Sequence, residues 1–183
     1  DMMLITVAVG ATASGTAIGG TIDVIVTLND VKALIADHAS VKADGDINII
    51  ATNDAFLLFI ALSAAGSGGQ TAVGGTFAVL VSKNSAQALV GDHVLIDSEN
   101  GAVRIGADNK EIIISILAAL SGSTGGTAVA ATLNVMITLS RAKAIVGDHT
   151  TIDAGGDIYV DVTINTFMLA IVAALSGSTG GVA

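Results

Sequence analysis

The sequence predicts an all-β protein whose short parallel strands stack into a β-helix, also called a β-solenoid. Three observations lead to this fold class: a unit of about 55 residues recurs, apolar residues alternate with a period of two, and glycine-rich turns recur at fixed offsets. The nonapeptide AALSGSTGG stands at both 118–126 and 173–181, and an Asp-His pair recurs at 37–38, 92–93 and 148–149. Strands and turns at constant positions in a repeat of this length are typical of stacked coils.

The repeat divides the chain into units. They run over residues 16–70, 71–126 and 127–181, with partial units at 1–15 and 182–183. One extra residue lies at 98–100 of the middle unit, a polar, turn-like segment where an insertion leaves the strand register intact. Both ends of the sequence fall inside a unit, so we expect it to be a window of a longer array.

Each unit has four strand-like segments, which in the first unit are 21–28, 33–35, 47–49 and 56–62. Asn, Asp, Gly and Ser separate them as turn signals at 29–30, 44–45, 53–54 and 66–69, and frequent glycine argues against helix. We expect two to three coils per unit, so that a unit advances roughly 10 to 15 Å at about 4.8 Å per coil. A rival arrangement pairs the last strand with the strand after the glycine-rich turn as an antiparallel hairpin.

The main strand predicts which side chains face the core. Ile22, Val24 and Val26 alternate on one side and are expected to point inward. The opposite side keeps an apolar residue at its centre in every unit, and the fourth segment is apolar on both sides. The resulting candidate assembly surface is Ile25, Leu80, Met136, Leu57, Phe59, Ile113, Leu117, Met168 and Val172. Either another strand layer of the same chain covers these residues, or they form a protein–protein contact.

The composition excludes several classes of function. The chain has 16 acidic and only 7 basic residues, a balance that argues against nucleic acid or an anionic membrane as partner. It contains no cysteine, which excludes a disulfide framework and thiolate chemistry. No apolar stretch is long enough to span a bilayer as a helix, so no membrane span is expected.

The Asp-His pairs and the acidic turns are the candidate metal ligands. These residues are Asp37, His38, Asp92, His93, Asp148, His149, Asp153 and Asp157. Columns one unit apart would lie two or three coils from each other, too far for one ion to bridge, so we favour turns in which Asp caps local backbone N–H groups. The turns at 44–46 and 153–157 suggest calcium, but the middle unit does not keep the pattern. We therefore expect no resident metal, with calcium as the alternative.

No catalytic site emerges from the sequence. The glycine clusters at 66–69 and 122–126 are not followed by the lysine and helix of a phosphate loop. Serines are frequent, but no Ser-His-Asp set is constrained by the repeat. We expect a protein that is not an enzyme and that has no cofactor.

The repeat pattern resembles a known class of proteins. A glycine-rich turn, Thr-Ala-Val and an alternating strand precede Lys-Ala-Ile-Val-Gly-Asp and Gly-Gly-Asp-Ile-Tyr-Val, most clearly at 127–162. This is similar to the repeat arrays of filamentous-haemagglutinin-like and leukotoxin-type filamentous adhesins of bacteria. The resemblance implies secretion to the cell surface or the medium, and a shaft that holds a binding tip, absent from this sequence, toward a host or a neighbouring cell.

Two functions follow as expectations. The first is a non-catalytic shaft of a large secreted or surface-anchored bacterial adhesin. The second is a segment of a self-assembling extracellular filament, in which outward apolar residues form lateral contacts with neighbouring solenoids.

Overall fold

The chain is all-β in the computed structural model, which describes residues 2–180 and 182–183. The unit boundaries expected at residues 1 and 181 lie outside the described residues. No helix occurs in the described part of the chain. The strands are β1 (Met2–Ser14), β2 (Ala17–Ile35), β3 (Ser40–Ala43), β4 (Ile47–Ser67), β5 (Ala72–Val90), β6 (Leu95–Ser98), β7 (Val103–Ser123), β8 (Ala128–Val146), β9 (Thr151–Ala154) and β10 (Ile158–Ser178).

The strands form three parallel sheets. Sheet A has the order β1-β4-β7-β10, sheet B the order β2-β5-β8, and the short sheet C the order β3-β6-β9. The chain passes from B through C to A and then returns to B, and we call one such passage a coil. The glycine-rich turns therefore connect sheet A to sheet B, and every strand pair described is parallel. Among the described strands, the rival antiparallel hairpin is not formed.

The strand register shows that one repeat makes one coil. Ala17 pairs with Ala72, and Ala72 pairs with Ala128, one repeat further along each time. The expectation of two to three coils per unit is therefore wrong, and a repeat advances about 4.8 Å rather than 10 to 15 Å. Equivalent residues of successive repeats are direct neighbours in the sheets.

Long strands explain this difference. Asn29-Asp30 and Asn53-Asp54 were expected to be turns, but they lie inside β2 and β4, so the four expected segments merge into two strands of 19 and 21 residues. Asn29 donates a hydrogen bond to Asn84 at 2.9 Å, and Asn53 donates one to Asn109 at 2.8 Å. Amide ladders of this kind let asparagine occupy a strand, because each side chain finds its partner in the next coil.

The extra residue of the middle repeat lies in a turn. Ala43 pairs with Ser98 at an offset of 55 residues, whereas Ile47 pairs with Val103 at an offset of 56. The turn after β6 absorbs this residue, in the segment to which the sequence alignment assigns it. The sheets on either side stay continuous.

Sheets A and B face each other and enclose a core that narrows toward the glycine-rich turns. Near sheet C the core is built from branched side chains such as Ile96 and Ile105, whereas near the glycine-rich turns it consists of Ala17, Ala65 and Ala72. The two backbones come so close there that a Cβ on Gly74 would lie 2.5 Å from the carbonyl oxygen of Leu120. A cross-section of the coil is therefore a wedge.

One threonine in each coil ties sheet B to sheet A. The side-chain hydroxyls of Thr21, Thr76 and Thr132 donate to the carbonyl oxygens of Leu62, Ala118 and Ala173, at 2.8, 2.9 and 3.0 Å. These bonds fix the level at which the two sheets face each other.

Candidate functional site

The residues expected to form an assembly surface are mostly inside the protein. Ile25 is 8% exposed, and Leu57, Phe59, Leu80, Ile113 and Leu117 are at most 1% exposed. They form one cluster between sheets A and B, and Met136 packs against it. These residues are therefore covered by the facing strand layer of the same chain, and they do not form the protein–protein contact that was the other expectation.

Met168 and Val172 point to the same side as Ile113 and Leu117, with which they are in register. They are 48% and 47% exposed because β10 is the outermost strand of sheet A in the described chain. They are exposed because of this edge position, and they are not part of the flat outer face of the sheet.

The side of the main strand expected to face the core lies outside. Ile22, Val24 and Val26 are 75%, 61% and 61% exposed. They belong to a surface on sheet B that we call belt B, made of the outward side chains at alternate positions of 18–28, 73–83 and 129–139. Lys83, at one end, is the only polar side chain in it.

Sheet A has a corresponding surface, which we call belt A. It consists of the outward side chains at alternate positions of 3–13, 56–66, 112–122 and 167–177, and all of them are Met, Ile, Leu, Val, Phe, Ala or Gly. Ile5, Val7 and Ile171 are each about half exposed or more, at 52%, 62% and 49%. Ten residue steps at about 3.3 Å give the belt a width of roughly 33 Å.

Belt A and belt B end at the same distance from the glycine-rich turns. The amide of Asn109, just outside belt A, donates to the carbonyl oxygen of Asn84, just outside belt B, across the core at 3.4 Å. Beyond this level the outer faces become polar. Both apolar surfaces therefore occupy the narrow half of the wedge, on opposite sides.

The polar half of sheet A carries a charge cluster. The Arg104 guanidinium makes two hydrogen bonds to the carboxylate of Asp161, at 3.0 and 2.7 Å, and lies 3.9 Å from Asp108. These bonds hold the pKa of Asp161 below its ordinary value and raise that of Arg104. Both side chains are 39% exposed, so solvent screens the pair and its contribution to stability is small.

The Asp-His pairs form a column on the edge between sheets B and C. The rings of His38, His93 and His149 stack almost parallel, with centroids 5.0 and 4.8 Å apart. All three have positive φ, at 60°, 57° and 55°. The separation of two or three coils expected for this column was wrong, because one repeat is one coil. Parallel imidazoles direct their nitrogen lone pairs alongside each other, not toward a common ion.

The aspartates of this column bind backbone groups. Oδ1 of Asp37 accepts a hydrogen bond from the backbone N–H of Asp92 at 2.9 Å, and Asp92 accepts one from Asp148 at 2.8 Å. The capping that the sequence suggested within one turn thus runs from each coil to the next. These bonds and the histidine stack support the left-handed backbone at the three histidines.

The acidic turns are also joined from coil to coil. Asp44 accepts a hydrogen bond from the Asn100 amide at 2.6 Å, and Asp46 accepts one from the Ala102 N–H at 2.8 Å. Asp157 differs, because it accepts a hydrogen bond within its own coil, from the Tyr159 hydroxyl at 2.8 Å, and this bond raises the pKa of Tyr159. Asp153 lies in β9. Within residues 2–180 and 182–183, no group of three or more His, Cys, Asp or Glu side chains could hold a metal ion.

Sequence reasoning missed a buried polar network. Glu111 is 1% exposed and accepts hydrogen bonds from the hydroxyls of Ser82, Thr138 (2.6 Å) and Ser140 (3.0 Å). The equivalent residue in the preceding coil is Ala55. Repetition of a polar residue could have revealed the two asparagine ladders, but Glu111 occurs in one coil only and gave no such signal.

No described helix is long and apolar enough to cross a membrane. No protein-family model matches the chain, and neither a curated protein nor a solved structure matches it. The repeat geometry and the resemblance noted in the sequence are therefore the basis for a functional proposal.

Proposed function

We propose that this chain is a β-solenoid segment that serves as the non-catalytic shaft of a large secreted or surface-anchored bacterial adhesin. The observation that carries the proposal is the register of the strands, which pairs each repeat with the next over the whole length of its strands. A protein built in this way grows in one direction by adding repeats, as a shaft does.

The coil-to-coil bonds supply the mechanical properties of a shaft. Backbone hydrogen bonds continue through the turns, for example from His38 N–H to the Asp92 carbonyl at 2.8 Å and from Ala72 N–H to the Thr127 carbonyl at 2.8 Å. The connections between successive described strands are two to four residues long. Such a surface offers a protease few accessible segments.

The assignment to an adhesin rests on the resemblance at 127–162. This segment covers β8, β9 and the start of β10, which is most of one coil. The acidic net charge of −9 agrees with an exported protein that stays dispersed in an aqueous medium. The binding tip, and the host or neighbouring cell that it would contact, belong to a region outside this sequence.

The coil dimensions predict the appearance of such a shaft. Strands of 19 and 21 residues are about 60 to 70 Å long, and each coil adds about 4.8 Å to the axis. The shaft is then a ribbon whose width greatly exceeds its thickness. Electron microscopy of the native material should show isolated ribbons of this width extending from cells; round fibres a few nanometres across would contradict the proposal.

The second candidate is a self-assembling extracellular filament with lateral apolar contacts. The observation that favours it is the pair of exposed belts, since soluble monomers rarely expose apolar patches larger than about 300 to 600 Å². Micrographs distinguish the two candidates, because a filament of this kind would consist of ribbons stacked on their flat faces. Isolated ribbons alone would exclude it.

A further inference from the structure

We propose that belt A is a docking surface for a second copy of this chain, and that the two copies pair face to face with their strands in opposite directions. This inference rests on the proposed function, in which the chain is a β-solenoid built from these coils. It deepens the second candidate by naming the surface, the partner and the orientation.

The chemistry of belt A favours an apolar partner surface. None of its outward positions carries a polar side chain. In the described chain its footprint is about 33 Å by four strands at about 4.8 Å, or roughly 600 Å². Two such footprints bury about 1,200 Å² in total, which is the lower end of stable protein–protein interfaces. A concentration-dependent dimer is therefore expected.

The order of side-chain sizes along the belt favours a second copy in the opposite direction. Each strand begins the belt with a bulky residue, at Met3, Phe56, Ile112 and Phe167, and ends it with Ala13 or with Gly66, Gly122 and Gly177. When strands run in opposite directions, each bulky row lies over the small row of the other copy. With strands in the same direction, the bulky row would face the bulky row and the Ala and Gly row would face its counterpart, leaving a gap at one end.

The polar half of sheet A points to the same orientation. Opposed strands leave the cluster of Arg104, Asp108 and Asp161 of each copy at opposite ends of the pair, in contact with water. Strands in the same direction would bring the two clusters face to face and remove them from solvent, at an electrostatic cost. A lipid surface would require the apolar area but not the gradient of side-chain size.

The surface is tested by comparing Ile116→Lys in belt A with Val79→Lys in belt B. Ile116 faces outward on β7, next to β10, and Val79 faces outward on β5, next to β2. Each substitution therefore adds one charge to one face. Sedimentation analysis should show a dimer for the unmodified chain, monomers at tenfold higher concentration for Ile116→Lys, and a retained dimer for Val79→Lys. Circular dichroism must show unchanged β-structure in both variants.

The orientation is tested with spin labels, since the chain has no cysteine of its own. A label on Thr163→Cys, in the polar half of β10, lies about nine residues from the belt centre. Opposed strands put the two labels of a dimer about 60 Å apart, and strands in the same direction put them less than about 30 Å apart. Dipolar spectroscopy measures this distance.

Three results would overturn the inference: a monomer at all accessible concentrations, a dimer that Ile116→Lys leaves intact, or the short label distance. Flotation of a monomeric chain with phosphatidylcholine vesicles would assign the belts to lipid instead. None of these results affects the ribbon dimensions, so the failure of pairing is distinguishable from failure of the proposed shaft.

Discussion

At the scale of single residues, buried asparagines and one buried glutamate hold neighbouring coils in register. Asn84 and Asn109 are 0% and 1% exposed, so their amides depend entirely on partners inside the protein. Asn109 links both sheets, because it accepts from Asn53 within sheet A and donates to the backbone of Asn84 in sheet B. A one-residue slip of a strand would break these bonds, and the ladders therefore select a single register.

Asn109→Ala should lower the free energy of unfolding by about 1 to 3 kcal/mol, because it leaves the Asn53 amide buried without its acceptor. Chemical denaturation followed by circular dichroism measures the change. Thr52→Ala is the matched control, since Thr52 is exposed on the same strand next to Asn53 and should alter stability by less than about 0.5 kcal/mol. Equal effects of the two substitutions would show that the ladder does not stabilise the coil.

The sequence predicted the parallel all-β class but reversed the two sides of the main strand. The usual expectation places polar residues outside, and Thr21, Thr27 and Asp23 interrupt the side that contains Ile25. In the structure these polar groups are inside and hydrogen-bonded: Thr27 to Ser82 at 3.0 Å, and Asp23 to Thr6 at 3.3 Å. Both sides of the strand are apolar enough to be a core face, so alternation alone could not decide between them.

At the scale of elements, the paired long strands depend on small residues where the wedge is narrow. Gly74 in β5 faces the backbone of β7, and Gly19 in β2 faces that of β4, where a Cβ would lie 2.7 Å from the Ala64 carbonyl oxygen. At these two positions glycine therefore permits the close approach of sheets A and B. In the sequence they were indistinguishable from turn glycines, because the alternating pattern reports which side is buried but not how far the facing sheet is.

Gly74→Ala should destabilise the protein by about 1 to 3 kcal/mol, because its Cβ would lie 2.5 Å from a backbone oxygen that cannot move without bending β7. Gly75→Ala is the control, because the nearest atom to its Cβ would be 3.9 Å away, an ordinary van der Waals distance. Each glycine is followed one coil later by an alanine, Ala130 or Ala131, so the comparison tests the spacing of β5 and β7 and not the residue type. Thermal unfolding of the two variants should differ clearly. A stable Gly74→Ala protein would contradict the close approach of the sheets.

At the scale of the whole molecule, the repeat and the coil are the same unit. The repeat length is visible in the sequence, but the number of coils in a repeat is not, because Asn-Asp pairs are typical of turns and here lie inside strands. The error propagated to the histidine column, which was expected to be widely spaced and is a continuous stack. The candidate assembly residues were likewise expected on the outer face and lie in the core, because their side is decided by which faces of sheets A and B pack together.

If one repeat is one coil, removal of a complete repeat should preserve the fold. Deletion of residues 71–126 joins Gln70 to Thr127, so that β8 takes the place of β5 against β2 in the same register. The shortened chain should keep a β-sheet spectrum and unfold cooperatively, at a lower temperature because the most buried coil is lost. Deletion of residues 71–98 is the control, since it removes half a coil and connects the glycine-rich turn to a strand of the wrong sheet. That variant should lose its β-structure although it is longer by half a repeat; if both deletions fold equally well, the stacking unit is not the 55-residue coil.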